Sequence, residues 1–215
     1  MIFPITTIPK PILFQKSVPV KKIDQKIIDL ISDMIDTFKI QDHPKAVGLA
    51  ANQVGRPEKI FLALIDKKIV PFINPEILKI SNKLQKPVKK NDIPLEGCLS
   101  IPGYFGEVFR PQWVKIKYTT FNNVIARNEV TKQSQPKYNF PSGLPRPADS
   151  GARNDKINIL EKTDIFKGFP AAIICHEMDH LEGRVFTEKL LTQKGLLYKV
   201  VLAKNGKEEF EEVKI

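Results

Sequence analysis

The segment His176-Glu177-Met178-Asp179-His180 constrains this chain more than any other. Two histidines four positions apart lie on one face of an α-helix, one turn from each other. Both imidazoles can then reach a single cation, and the glutamate beside the first can act on a water that the cation polarises. The chain holds only three histidines, His43, His176 and His180, so two in this register are hard to assign to chance. The expected helix runs from Phe169 to Leu181 and stops at Gly183.

A catalytic site of this kind needs a third protein ligand and one open position. Cys175 is next to His176 and so points about 100° away around the helix; it reads as a small buried hydrophobe. His43 stands beside Pro44 with no supporting pattern. One known pattern ends in a third histidine where this chain has Phe186. A downstream carboxylate, Glu188 or one of Glu208, Glu209, Glu211 and Glu212, would make the site that of a zinc endopeptidase. Cys98, within Leu95-Glu96-Gly97-Cys98-Leu99-Ser100-Ile101-Pro102, would instead add a thiolate to the two imidazoles, a set open to zinc or ferrous iron.

Composition narrows the setting. With 215 residues, 42% of them hydrophobic and 27% charged, the chain can bury a core without disulfide staples. No apolar run approaches the roughly 18 residues of a membrane span. The start of the chain, with Pro4, Pro9 and Pro11, makes a poor signal peptide, and a cytoplasmic location is expected. In that compartment a metal or catalytic role for at least one of the two cysteines is expected rather than a disulfide. The net charge is +10, yet only six of the 34 basic residues are arginines. That balance argues against sequence-specific nucleic-acid binding and fits weak attraction to a large anionic assembly.

Apolar residues from Ile23 to Phe38 recur at helical spacing and predict a packing helix. Strands are expected at 59–65, 76–80, 113–119 and 157–161, with turns at Asn74-Pro75, Pro102-Gly103 and Arg110-Pro111. Residues 123–156 hold four prolines, two glycines and no usable period. They read as a disordered or surface insertion in a single domain spanning 1–191. The stretch 192–215 reads as a C-terminal extension that frays or carries one short element.

Three separated segments resemble the signature motifs of the peptide deformylases. Ala46 to Gln53 is similar to the family's Gly-x-Gly-Leu-Ala-Ala-x-Gln, Glu96 to Ser100 matches Glu-Gly-Cys-Leu-Ser, and His176 to Leu181 matches His-Glu-x-x-His-Leu. The resemblance covers most of the chain outside 123–156 and the tail. It implies an α+β fold, with small antiparallel or mixed sheets around the helix of the two histidines and an additional N-terminal helix.

It also implies that Cys98, His176 and His180 hold the metal and that Glu177 is the general acid/base. Gln53 and the backbone N–H of Leu99 would polarise a formyl oxygen, where attack builds negative charge. Val47, Phe169, Ala172 and Ile173 would lie near a methionine pocket, and Gly48 would let an extended peptide approach. The implied activity is removal of the formyl group from N-formylmethionyl nascent peptides, with release of formate. The implied cofactor is Fe²⁺, replaceable by Zn²⁺, Ni²⁺ or Co²⁺. With no obvious exposed apolar stripe a monomer is expected, and the basic charge fits transient contact with ribosomes. Two departures stand out: Ala46 replaces the motif's first glycine, and Cys175 replaces the usual glutamine before the His-Glu pair. A non-catalytic, ribosome-associated relative that kept the fold is the remaining alternative, opposed by the intact ligand set and Glu177.

Overall fold

Helix α1, Gln25–Lys39, starts where Asp24 accepts hydrogen bonds from Lys26 N and Ile27 N at 3.1 and 3.3 Å. This cap satisfies N–H groups that the first turn leaves without partners. The helix buries Leu30, Ile31, Met34, Ile35 and Phe38 and turns its acidic residues outward. The computed structural model describes residues 1–42, 45–85, 95–121, 158–202 and 208–214. The expected insertion at 123–156, and His43, lie outside the described residues.

After α1 come β1 (Gly48–Ala50), a 3-10 turn (Ala51–Val54), β2 (Ile60–Ile65), β3 (Lys68–Ile80), β4 (Leu95–Cys98), β5 (Ile101–Glu107) and β6 (Trp113–Phe121). Then follow β7 (Ile159–Lys167), α2 (Phe169–Leu181), α3 (Phe186–Gln193), β8 (Leu197–Leu202) and β9 (Glu208–Val213). The fold is α+β. Five strands form one sheet in the order β1-β2-β3-β6-β7 and four form another in the order β4-β5-β8-β9, with every neighbouring pair antiparallel.

The uninterrupted apolar run of β2 has a direct cause. Ile60 and Leu62 face α1 and its cluster, while Phe61 and Ala63 face α2 with Phe72, Ile116, Ile174 and Leu181. A strand covered on both sides cannot alternate apolar with polar. The far side of the sheet is covered on one face only, and β6 alternates buried Val114, Ile116, Tyr118 and Thr120 with less buried neighbours. A third cluster lies under the smaller sheet, where Phe186 and Leu190 of α3 pack with Cys98, Ile101, Val108 and Leu197.

Some local expectations give way. Asn74-Pro75 is not a turn: it lies inside β3, where Asn74 takes a φ of 49° and the register to β6 shifts between Ile73 and Glu76. The extra backbone length is absorbed as a bulge, and Asn74 exchanges hydrogen bonds of 2.8 Å with the backbone of Val20 in both directions. Pro102-Gly103 lies within β5; the reversal comes earlier, with Cys98 paired to Ile101 across Leu99 and Ser100. Beyond α3 the described residues hold two strands, with β8 joined to β5 and β9 to β8. Among the described residues no helix is long and apolar enough to cross a membrane.

Gly183, just past α2, has a φ of 72°, and a Cβ there would stand 2.7 Å from the backbone of Phe14. Only glycine meets both demands. The N-terminal segment therefore closes tightly over the end of the helix, and Ser17 N–H donates to Leu181 O at 2.8 Å.

Candidate active site

Three elements distant in sequence bring their side chains together. Helix α2 presents His176 and His180 one turn apart, β4 ends on Cys98, and the turn after β1 supplies Gln53. His180 Nε2 lies 3.2 Å from both Cys98 Sγ and His176 Nε2. The ligand atoms of Cys98, His176 and His180 all fall within 4.8 Å of one another. Bonds of about 2.0–2.1 Å to nitrogen and 2.3 Å to sulfur would place one cation among three such atoms. The donor set suits a borderline-soft metal, so the residues present fit one.

The residue that the structure brings beside the two histidines is Cys98. Glu188, Glu208, Glu209, Glu211 and Glu212 are exposed and outside this cluster. Cys175 is buried in the core between α2 and the larger sheet, and burial pushes its thiol up to about 11. Cys98 is moved the other way. Burial opposes its ionisation, but the imidazoles of His180 and His176 outweigh that and hold the thiol well below its ordinary value.

His176 is held from behind. Its Nδ1 donates to Glu96 Oε1 at 2.6 Å, which turns Nε2 toward Cys98 and His180. Arg110 in turn grips Glu96 with a two-pronged contact, Nε to Oε2 at 2.8 Å and Nη2 to Oε1 at 2.6 Å. Its remaining prong donates to Asp179 Oδ2 at 2.5 Å. Arg110 is 2% exposed, so this is a buried network whose charges are matched.

Two carboxylates of the site are driven in opposite directions. Burial works against the Glu96 anion, but His176 and Arg110 prevail and bring it down to about 2. Glu177 is buried without a cationic grip of that kind, and desolvation, only partly offset by His176 and His180, lifts it to about 7. One group is thereby a fixed anion and the other is able to exchange a proton near neutral pH. Gly48 makes room for Glu177: a Cβ at that position would stand 2.1 Å from Glu177 Oε1. Ala46, which replaces a glycine of the motif, does not take a positive φ and so bears no strain on that account.

A cavity of about 230 Å³ opens onto these groups. Its walls include Val47, Gly48, Gln53, Cys98, Leu99, Phe169, Ala172, Ile173, His176 and Glu177, so every residue expected in the site reaches it except His180, which sits behind. Gln53 is fixed at both ends. Its Oε1 accepts from Ala50 N at 2.9 Å, and its Nε2 lies 3.4 Å from Cys98 Sγ and 3.2 Å from Ser100 Oγ. Sequence reasoning missed the roles of Glu96, Arg110 and Asp179. Glu96 and Asp179 were visible inside their motifs, but Arg110 is an isolated residue of a loop, and no local pattern marks it.

A family profile described as Polypeptide deformylase matches residues 2–132 and 146–195. The unmatched residues between the blocks fall inside the proline-rich stretch. A protein named Peptide deformylase 1 from Clostridium acetobutylicum is 35% identical over 184 residues, covering 86% of this chain and 91% of that one. A Peptide deformylase from Caldanaerobacter subterraneus subsp. tengcongensis is 32% identical over 181 residues, covering 84% of each. Among solved structures, that of peptide deformylase from Ehrlichia chaffeensis in complex with actinonin superposes with a TM-score of 0.64 at 28% identity, covering 90% of this chain and 91% of that one. The one from Thermotoga maritima gives 0.63 at 27% identity, covering 88% and 98%.

Proposed function

The chain belongs to the polypeptide deformylase family, and on that premise we propose how its residues share the work. It is a metal-dependent hydrolase that removes the N-formyl group from formyl-methionine at the start of newly made proteins and releases formate. The observation that carries the assignment of roles is the convergence of Cys98 Sγ, His176 Nε2 and His180 Nε2 beside a buried Glu177 at the wall of the cavity.

In this reading Cys98, His176 and His180 hold the metal. When bound, the cation supplies Lewis acidity at neutral pH. Fe²⁺ is the metal we assign, with Zn²⁺, Ni²⁺ and Co²⁺ able to occupy the same thiolate and imidazole donors. Glu177 takes the proton of the attacking water and delivers it to the departing amine. Its elevated affinity for a proton suits both transfers. The Gln53 amide and the Leu99 N–H donate to the formyl oxygen as negative charge builds there. Gln53 arrives preorganised, because its Oε1 accepts from Ala50 N, and one of the two Nε2–H groups that face Cys98 and Ser100 turns to the formyl oxygen when substrate binds.

Val47, Phe169, Ala172 and Ile173 form the walls for the methionine side chain. The peptide backbone lies along β1, which is the terminal strand of its sheet and carries Gly48 at the cavity. The same reading keeps the protein in the cytoplasm as a monomer that meets its substrates in transient contact with ribosomes.

The test is formate release from a formyl-Met tripeptide by protein purified anaerobically and loaded with Fe²⁺. Turnover should fail with a chelator and with the unformylated peptide. Glu177→Ala should keep its metal and lose about 10²–10⁴-fold in kcat. Full activity in metal-replete Glu177→Ala protein would overturn the role of Glu177, and folded, metal-loaded wild type without turnover would overturn the whole assignment.

A further inference from the structure

The two imidazoles of the site are not held alike. His176 has Glu96 behind its Nδ1. His180 is 1% exposed, and its Nδ1 is buried without a hydrogen-bond partner among the described residues. A neutral imidazole that offers the Nε2 lone pair to a cation carries its proton on Nδ1. Such an N–H, shut away from bulk water, needs an acceptor.

Asn52 contacts the backbone of the same residue. It is 1% exposed, and its Nδ2 donates to His180 O at 2.6 Å, across 128 positions of sequence. The other end of the same carboxamide, Oδ1, is also buried without a partner among the described residues. Ser17, whose N–H donates to Leu181 O at 2.8 Å, brings to the same end of the helix a buried hydroxyl that has no partner among the described residues. An N–H donor, a carbonyl acceptor and a hydroxyl are what one internal water needs to be held by two to four partners.

We propose that Asn52 is a positioning residue for His180: its Oδ1 accepts the Nδ1–H of that imidazole through one buried water, and so fixes the tautomer that leaves Nε2 free. The inference rests on His180 being a metal ligand. It gives the 3-10 turn at Ala51–Val54 a double role, since Gln53 already contacts the sulfur of Cys98 from the same turn. Two of the three ligands are then oriented by adjacent residues, and the third by Glu96.

Zinc is the probe. Asn52→Leu and Asn52→Asp both lose the donation to His180 O, but only the aspartate keeps an acceptor. A merely structural role would therefore cost both variants alike. Chelator competition should show Zn²⁺ affinity falling about 10–100-fold in Asn52→Leu, with Asn52→Asp at least tenfold tighter than the leucine variant. Equal losses in both, or no loss in either, would overturn the proposal. A readout that needs no variant is the imidazole ¹⁵N spectrum of the zinc-loaded wild type, which three histidines keep simple. It should show His180 protonated at Nδ1 with a slowly exchanging proton. A rapidly exchanging proton there, or the other tautomer, would overturn it. Wild-type protein that takes up no zinc would bring down the ligand reading as well. Tight zinc binding with an indifferent Asn52→Leu would bring down the role of Asn52 alone.

Discussion

Helices α1 and α2 cover opposite faces of the larger sheet and are built on different rules. The outer face of α1 carries polar residues such as Gln25, Lys26 and Lys39 in contact with water. Its start is sealed by Asp24, and its buried residues are apolar apart from Ser32 and Thr37. Helix α2 has Gly168 before it, with no side-chain cap, and only Phe169 of its residues is exposed. Its polar residues His176, Glu177, Asp179 and His180 point into the protein. The first helix follows from local pattern and packs. The second is stabilised by its surroundings, and its unfavourably buried groups are the ones to which we assign the chemistry.

The sharpest way to break that contrast is to remove what holds the charges of α2. Arg110→Ala removes the buried cation that Glu96 and Asp179 share, leaves only His176 beside the one and the exposed Arg184 beside the other, and should cost about 3–5 kcal/mol, read by urea denaturation. It should also loosen His176 and weaken metal binding. In α1 the comparable injury is only a cavity. Met34 is 0% exposed, and Met34→Ala should cost about 2–5 kcal/mol while kcat per folded molecule stays unchanged.

A third change should stabilise α2. Glu177 binds its proton more tightly folded than unfolded, at about 7 against an ordinary 4.5. Its burial therefore costs nothing below about pH 4.5, costs more as pH rises through that window, and reaches its full penalty above 7. Glu177→Gln should make the metal-free protein more stable by about 3 kcal/mol above pH 7, with the gain gone at pH 4. A pH series of denaturation midpoints checks both sign and window. The smallest effect belongs to α1: Asp24→Ala should cost about 1 kcal/mol, with no change in turnover.

The same contrast explains what could be read from sequence. The extent of α2, from Phe169 to Leu181, follows from its apolar run and Gly183, and the pairing of His176 with His180 follows from their spacing. Cys98 needed its motif, because nothing local says that β4 ends beside α2. Arg110 was illegible, since its partners Glu96 and Asp179 are separated from it by strands and a whole helix. The bulge at Asn74 was hidden for a similar reason: Asn-Pro reads as a turn until Val20 is seen binding its side chain. The last hairpin was missed because β9 is acidic and exposed over Glu208 to Glu212, and β5 supplies the pairing that organises it.

The wide separation of Cys98 from the two imidazoles also sets an order of events during synthesis. At roughly 5–20 residues per second, about 4–16 s pass between the making of position 98 and that of position 176. Throughout that time neither His176 nor His180 exists to lower the proton affinity of the thiol or to join it on a metal. Loading must therefore follow completion of α2, and until then Cys98 is an ordinary, oxidisable cysteine. A new copy of this enzyme adds nothing to the processing of other chains until its own helix α2 has been made and folded.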